Sequence, residues 1–194
     1  MRIAGGEFRG RTIKVPPGEA VRPTQDRVRE ALFSMIHFDL QGKTFLDLFA
    51  GSGAVALEAL SRGAASATLV ESNPRHFRVA SDNVRTLKCE GRVSLVEADV
   101  FLWIRGAGGG RRFGIAFADP PYALIAEAGY AGILEALSTN DVVVPGGLFI
   151  AEMHRGSLGG GDPLRGCDEV DGWDLCRDRT YGQTRLVIWK RRDG

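Results

Sequence analysis

The sequence predicts an α/β fold: a mostly parallel sheet with helices between its strands, closing in an antiparallel hairpin. Three observations carry this. Short apolar runs alternate with helical stretches from residue 44 to residue 152, the pattern of strands joined by crossover helices. Phe45–Phe49 runs directly into Ala50-Gly51-Ser52-Gly53, a glycine turn between a strand and a helix. Near the C-terminus two alternating segments flank Tyr181-Gly182-Gln183, a hairpin signal.

The elements follow in order. Arg2–Val15 has short alternating segments around Gly5-Gly6 and Gly10, so it is expected to be a hairpin-like arm that Pro16-Pro17-Gly18 ends. Thr24 is placed as the cap of a helix over Gln25–Ile36. Its Val28, Ala31, Leu32, Met35 and Ile36 form one apolar stripe, which leaves Arg27 and Arg29 for another surface. Core strands are expected at Thr44–Phe49, Ala67–Glu71, Val93–Glu97, Phe113–Ala118 and Leu148–Glu152. Helices are expected at Ala54–Ser61, at Pro74–Leu87 with the proline in its first turn, and at Tyr130–Leu137. The glycine-rich stretch between Arg155 and Gly166 reads as a mobile loop with no assigned role. Trp173–Arg179 and Arg185–Lys190 complete the hairpin, which makes seven strands.

At 194 residues the chain suits one α/β core with a small extension, divided here as an arm and helix over 1–37 and a main domain over 38–194. Its 44% hydrophobic and 25% charged residues are ordinary globular values. No apolar run approaches the roughly 18 residues of a membrane span, and the N-terminus lacks a signal-peptide core. Cys89, Cys167 and Cys176 form no paired motif and read as reduced cytosolic thiols, so a cytoplasmic protein is expected. His37, His76 and His154 are scattered without metal-ligand spacing, and no metal is expected. The formal net charge of +1 hides a polarity. Residues 1–29 carry seven Arg/Lys against three acids, and residues 177–192 carry six against one. Basic ends on an acidic body suggest a surface that meets phosphates. The basic, glycine-rich arm, too short to own a core, is expected to be poorly packed, so that removing residues 1–15 leaves the rest folded.

Two motifs point to chemistry. In the first, the glycine turn lets backbone approach a ligand closely and opens a helix N-terminus towards it. Glu71 ends the next apolar run, twenty residues after Gly51, where an acid can accept both hydroxyls of a ribose. Strand, glycine turn, helix, strand and acid together indicate an adenosine-containing cofactor. The second motif is Asp119-Pro120-Pro121-Tyr122, directly after the apolar run Phe113–Ala118. Two prolines remove two N–H donors and fix φ, which turns neighbouring carbonyls into outward acceptors. With a carboxylate on one side and a ring for stacking on the other, the rim suits the exocyclic amine of a nucleobase.

The order of these features resembles the Rossmann-like (class I) S-adenosylmethionine-dependent methyltransferases that act on exocyclic amines. More narrowly, the chain resembles the RsmD family of 16S ribosomal RNA guanine-N2 methyltransferases. The resemblance covers nearly the whole chain. It rests on Gly5-Gly6-Glu7-Phe8-Arg9-Gly10-Arg11, Arg22-Pro23-Thr24, Asp26–Phe33, Asp47–Gly53, Glu58–Ala64, Val70-Glu71 and Asp119–Tyr122. It implies a seven-stranded sheet and methyl transfer from S-adenosyl-L-methionine to N2 of a small-subunit guanine, the guanine 966-equivalent. The implied cofactor set is Asp47, Phe49, Gly51, Ser52, Gly53, Glu71, Asn73, Asp99 and Val100. In it, Asp47 takes the methionine ammonium, Glu71 the ribose, and Asp99 with the backbone near Val100 the adenine amine. Asp119, Pro120, Pro121 and Tyr122 form the implied catalytic set, and Arg2, Arg9, Arg11, Lys14, Arg22, Thr24 and Arg27 the RNA-binding set. The expected partner is ribosomal RNA, in an assembling small subunit, bound by a monomer. Three rivals stay open. A DNA amine methyltransferase shares the DPPY motif but needs room for a target-recognition domain. An NAD enzyme fits Gly51–Ala56 as GxGxxA. A non-catalytic nucleic-acid-binding module would not need Asp119.

Overall fold

The structure is a computed structural model that describes residues 1–16, 23–154 and 162–193. Its order is α1 (Pro23–Met35), α2 (His37–Leu40), β1 (Thr44–Asp47), α3 (Ala54–Ser61), β2 (Ser66–Glu71), α4 (Pro74–Leu87), β3 (Val93–Glu97) and α5 (Val100–Arg105). There follow β4 (Phe113–Ala118), α6 (Tyr122–Thr139), β5 (Val143–His154), β6 (Trp173–Tyr181) and β7 (Thr184–Arg191). The seven strands form one sheet in the order β3-β2-β1-β4-β5-β7-β6. β1 pairs with β2, β2 with β3 and β4 with β5 in parallel; β5–β7 and β6–β7 are antiparallel. The expected fold class is the observed one. The chain divides into two compact units, Met1–Val100 and Phe101–Gly194.

In the first unit, strands and helices bury a shared apolar face. β1 and β2 bury Phe45, Leu46, Leu69 and Val70, and α3 is buried along nearly its whole length. A helix of Ala and Leu suits that position, because small and unbranched residues lose little freedom in a helix while filling the core. α4 starts on Pro74, behind an Asn73 whose Oδ1 accepts the Arg75 N–H at 2.9 Å. It ends on Lys88 in the left-handed region. α1 begins at Pro23, so Thr24 lies inside the helix rather than ahead of it.

The N-terminal arm belongs to this core. Arg2 and Thr12 form an antiparallel bridge, and Ile3, Phe8 and Ile13 are 1%, 4% and 2% exposed. The expectation of a poorly packed arm is therefore corrected: three large side chains, spaced five residues apart, are buried. Gly5 and Gly6 explain how it sits so close. A Cβ on Gly6, which has φ +77°, would lie 1.7 Å from the Ser61 carbonyl oxygen, and one on Gly5 would meet the Arg62 guanidinium at 2.6 Å.

In the second unit, β4 is buried throughout, as a continuous apolar run in a parallel sheet should be. An aromatic cluster joins its layers. Phe149 stacks on Trp189 at 5.6 Å and meets Trp173 at 6.3 Å and Tyr130 at 6.5 Å. Trp173 Nε1 donates to Ser138 Oγ at 2.6 Å, satisfying the indole.

Several elements differ from expectation. α6 starts at Tyr122 rather than Tyr130, and Gly129 at φ 62°, ψ 178° breaks it, so the expected helix is its second segment. β5 extends back to Val143 because a register shift between Phe113 and Ile115 absorbs Pro145-Gly146-Gly147 as a bulge. α2 and α5 were not anticipated, since four and six residues are too few to show a helical period. Of the loop expected between Arg155 and Gly166, residues 155–161 lie outside the described residues.

Candidate active site

The first unit gathers the whole implied cofactor set. β1 ends on Asp47, whose side chain is 1% exposed, and β2 ends on Glu71 at 9%. Buried carboxylates are costly unless donors surround them, and Glu71 shows how that cost is met. Its Oε2 accepts the Gly51 N–H at 2.8 Å and its Oε1 accepts the Asn73 N–H at 2.7 Å. Each oxygen keeps a second lone pair for another donor. Glu71 thus fixes the end of the glycine turn and the start of α4 while presenting acceptors beside both.

The turn has its own geometry. Gly51 and Gly53 have φ of +54° and +78°, left-handed values that favour glycine. A Cβ on Gly51 would meet nothing within 4 Å, so the space over that residue is open. A Cβ on Gly53 would press on Leu69 at 2.8 Å, so this glycine also serves packing against β2. Phe49 and Ser52 are half-buried, Asp99 is exposed after β3, and Val100 is buried at the start of α5. Asn73 is committed to its helix cap through Oδ1. A turn with open space over it, two buried acids at adjacent strand ends and an exposed acid at the third fit a nucleoside-containing cofactor.

The second unit carries the implied catalytic set. Asp119 is exposed at the end of β4, Pro120 is buried and Pro121 exposed. Pro121, at φ −55° and ψ 140°, precedes α6, and its carbonyl accepts the Leu124 N–H at 3.0 Å. Tyr122 opens α6, and its side chain lies outside the described residues. Tyr130 was not singled out in the sequence. It is buried, donates its hydroxyl to the Glu152 carbonyl at 2.5 Å, and feels the Asp119 charge. Burial first, then that charge, holds its phenol far above the ordinary range. Tyr130 is therefore a neutral donor under the acidic rim.

The implied RNA-binding set is divided. Arg2, Arg9 and Arg27 are exposed, Arg22 is outside the described residues, and the Thr24 side chain is likewise not described. Arg11 is turned to the carbonyls of Thr86 and Leu87 at the end of α4, and its guanidinium lies 5.9 Å from the Phe8 ring centre. Lys14 pairs with Asp82 at 2.9 Å, a contact that depresses the Asp82 carboxyl below its usual range.

Arg29 is not available to another surface. It is 5% exposed and pairs with the fully buried Glu58 at 2.8 Å, while Glu58 also pairs with Arg62 at 2.7 Å and accepts the Ala4 N–H at 3.1 Å. At the C-terminal end, Arg185, Arg191 and Arg192 are paired with Asp178, Asp141 and the Asp171–Asp174 pair. Much of the basic surplus read from the sequence is thus neutralised locally.

Sequence reasoning also missed Asn83 and Glu58. Each leaves a trace, a polar side chain on an otherwise apolar helical stripe: Ala80, Val84 and Leu87 flank Asn83, and Ala and Leu flank Glu58. Both prove to be wholly buried.

A family model described as "Conserved hypothetical protein 95" matches residues 1–190. The chain is 34% identical to ribosomal RNA small subunit methyltransferase D of Escherichia coli strain K12 over 195 aligned residues, covering 98% of this chain and 90% of that protein. The chain belongs to the RsmD family. Among family relatives, a putative rRNA methyltransferase of Bacillus subtilis strain 168 is 30% identical, with 99% of this chain and 100% of that one covered. The solved structure of a putative methyltransferase from Escherichia coli superposes with a TM-score of 0.81 at 30% identity, covering 100% of this chain and 99% of that one. At 17% identity, a putative methyltransferase structure described as complexed with SAH shares the fold with a TM-score of 0.69. Membership of the RsmD family sets aside the NAD reading.

Proposed function

We propose that this protein transfers a methyl group from S-adenosyl-L-methionine to N2 of one guanine in small-subunit ribosomal RNA, the guanine 966-equivalent. The observation that carries this reading is the pairing of two sites in one RsmD-family chain. One is an acid-flanked glycine turn with open space above it; the other is an exposed Asp119 followed by two prolines at a strand end.

The cofactor supplies a methyl group already activated on a sulfonium. What remains for the chain is holding and aiming. Glu71 accepts the ribose hydroxyls on the lone pairs left by the Gly51 and Asn73 N–H groups, and Asp47 holds the methionine ammonium. Asp99 and the backbone at Val100 take the adenine amine. On the target side, the Asp119 carboxylate and the Pro120 carbonyl accept the two N–H bonds of the guanine amine. That amine is a poor nucleophile because its lone pair is shared with the ring. Two acceptors hold it pyramidal with the lone pair directed at the methyl carbon, so orientation and stabilisation of developing positive charge do the catalytic work. Because the bonding pair stays on sulfur when the methyl leaves, the chain need supply only the aim and a proton acceptor. The nitrogen then loses one proton, to Asp119 or water. Tyr122 is assigned the stacking face for a base drawn out of its own stack.

The test is methyl transfer from labelled cofactor onto total RNA and total DNA, followed by nucleoside analysis. Label in N2-methylguanosine from small-subunit RNA is the expected result. Label in methylated adenine or cytosine of DNA would establish the rival amine methyltransferase instead.

A further inference from the structure

Asn83 sits in the middle of α4, fully buried, with both amide N–H bonds and its oxygen engaged. Its Oδ1 accepts the Lys14 N–H at 2.8 Å, and its Nδ2 donates to the Lys14 carbonyl at 2.9 Å. The second Nδ2 hydrogen goes to the Ser52 carbonyl, also at 2.9 Å. One planar group therefore clasps the end of the N-terminal arm as a paired strand would, and simultaneously holds the middle residue of the glycine turn. The arrangement is specific to a carboxamide. Reversing the amide would set its oxygen against two carbonyl oxygens, and a carboxylate would do the same while adding a buried charge. A polar group buried this completely is costly unless every bond is made, so breaking any one of the three bonds carries a desolvation cost.

We propose that Asn83 is a positioning residue that couples the arm to the cofactor turn, so that a nucleoside cofactor on the turn tightens the arm and a docked arm tightens the cofactor. The inference rests on the reading of Gly51–Gly53 as the cofactor turn. Contact of a ligand with the turn bears directly on the Ser52 peptide, which lies between two glycines in the left-handed region and whose carbonyl the Asn83 amide holds. The amide passes that effect to Lys14 without an intervening side chain. Coupling of this kind is reciprocal by thermodynamic necessity. Because Arg2 and Arg9 are exposed on the same arm, the clasp gives the RNA-facing segment a stake in whether the methyl donor is loaded.

The experiment is amide hydrogen exchange with and without S-adenosylhomocysteine, with calorimetry of the same ligand. The reporters are the Ile3 and Ile13 N–H groups, which bond to Arg11 and Met1 carbonyls within the arm and do not touch Asn83. In the unaltered protein the ligand should slow their exchange about five-fold or more, the lower end of ordinary coupling. In Asn83→Ala that ratio should fall towards one, and the ligand should bind more weakly by a similar factor. Arg92→Ala is the control: it loosens the arm by breaking the 2.9 Å pair with Glu7 but leaves the clasp, so the ratio should persist. An unchanged ratio in Asn83→Ala overturns the proposal. Should that variant not fold, the unaltered protein still decides, because ligand binding without slowed exchange overturns the coupling alone. Failure of S-adenosylhomocysteine to bind at all overturns the cofactor reading with it.

Discussion

Asp119 and Glu71 are both strand-end acids, yet they stand in different surroundings. Asp119 is exposed, ahead of two prolines; Glu71 is buried and already holds two backbone N–H groups. Asp119→Ala should therefore abolish methyl transfer while cofactor affinity, read by calorimetry, stays within a few-fold. Loss of binding together with activity would refute that division. Glu71→Ala should act in the opposite sense, weakening the cofactor by about 1.5–3 kcal/mol, the range for hydrogen bonds to a charged group. Both acids were legible in the sequence because each closes an apolar run. Arg29 was not. Its place on α1 suggested an outward cation, and only the tertiary structure shows Glu58 waiting for it. Arg29→Ala leaves Glu58 buried with Arg62 as its remaining cation, so it should cost about 3 kcal/mol by denaturant unfolding, the low end for breaking a buried pair.

The N-terminal arm shows the limits of sequence at the scale of an element. Glycine content and basic charge argued for a loose grip on RNA, with residues 1–15 removable. The structure buries Ile3, Phe8 and Ile13 and ties the backbone to Glu58, Ser61 and Asn83. Burial of a large apolar side chain contributes roughly 1.5–3 kcal/mol, so losing three approaches the roughly 5–15 kcal/mol of a whole domain. Deleting residues 1–15 should thus unfold the first unit or lower its melting temperature by well over ten degrees. A truncation that melts normally would contradict this. The spacing of Ile3, Phe8 and Ile13, five residues apart, matches neither the strand nor the helix period, so their burial left no sign in the sequence. Where the period was clear, as in α3, α4, β3 and β4, the sequence placed the ends correctly. Short helices such as α5 carry no such signal, and a run rich in aromatic and branched residues does not announce itself as helical.

Across the whole molecule, the shifted groups set a window of pH stability. Hydrogen bonds from Arg185 hold the Asp178 carboxyl below the ordinary range, and Arg112 with Arg191 does the same for Asp141. A carboxyl depressed in the folded state stabilises fully above its unfolded value near 4 and loses that contribution as pH falls through the folded value. On the alkaline side, burial lifts the Cys167 thiol from 9.0 to about 12, and Tyr130 is raised as well. These acids are held neutral by the fold, so their contribution is present below about pH 9 and is lost as pH rises towards 12. Melting temperature against pH should show a plateau with a shoulder of loss on each side. Asp178→Asn should flatten part of the acid shoulder. An acid limb unchanged in that variant would remove the pair from the explanation.

The same arm has a consequence for how the chain is made. It leaves the ribosome ahead of Glu58 and Ser61 on α3, Asn83, Thr86 and Leu87 on α4, and Arg92 beyond, the groups it docks on. The last of them is encoded about 80 residues after Lys14. At typical bacterial and eukaryotic elongation rates the arm waits roughly 4–16 s for a surface to dock on. Its glycines and arginines keep a nascent segment soluble through that interval, while its three isoleucine and phenylalanine side chains remain uncovered. Stalled nascent chains ending before α4 should lose the arm to brief proteolysis, and chains extended past Arg92 should retain it.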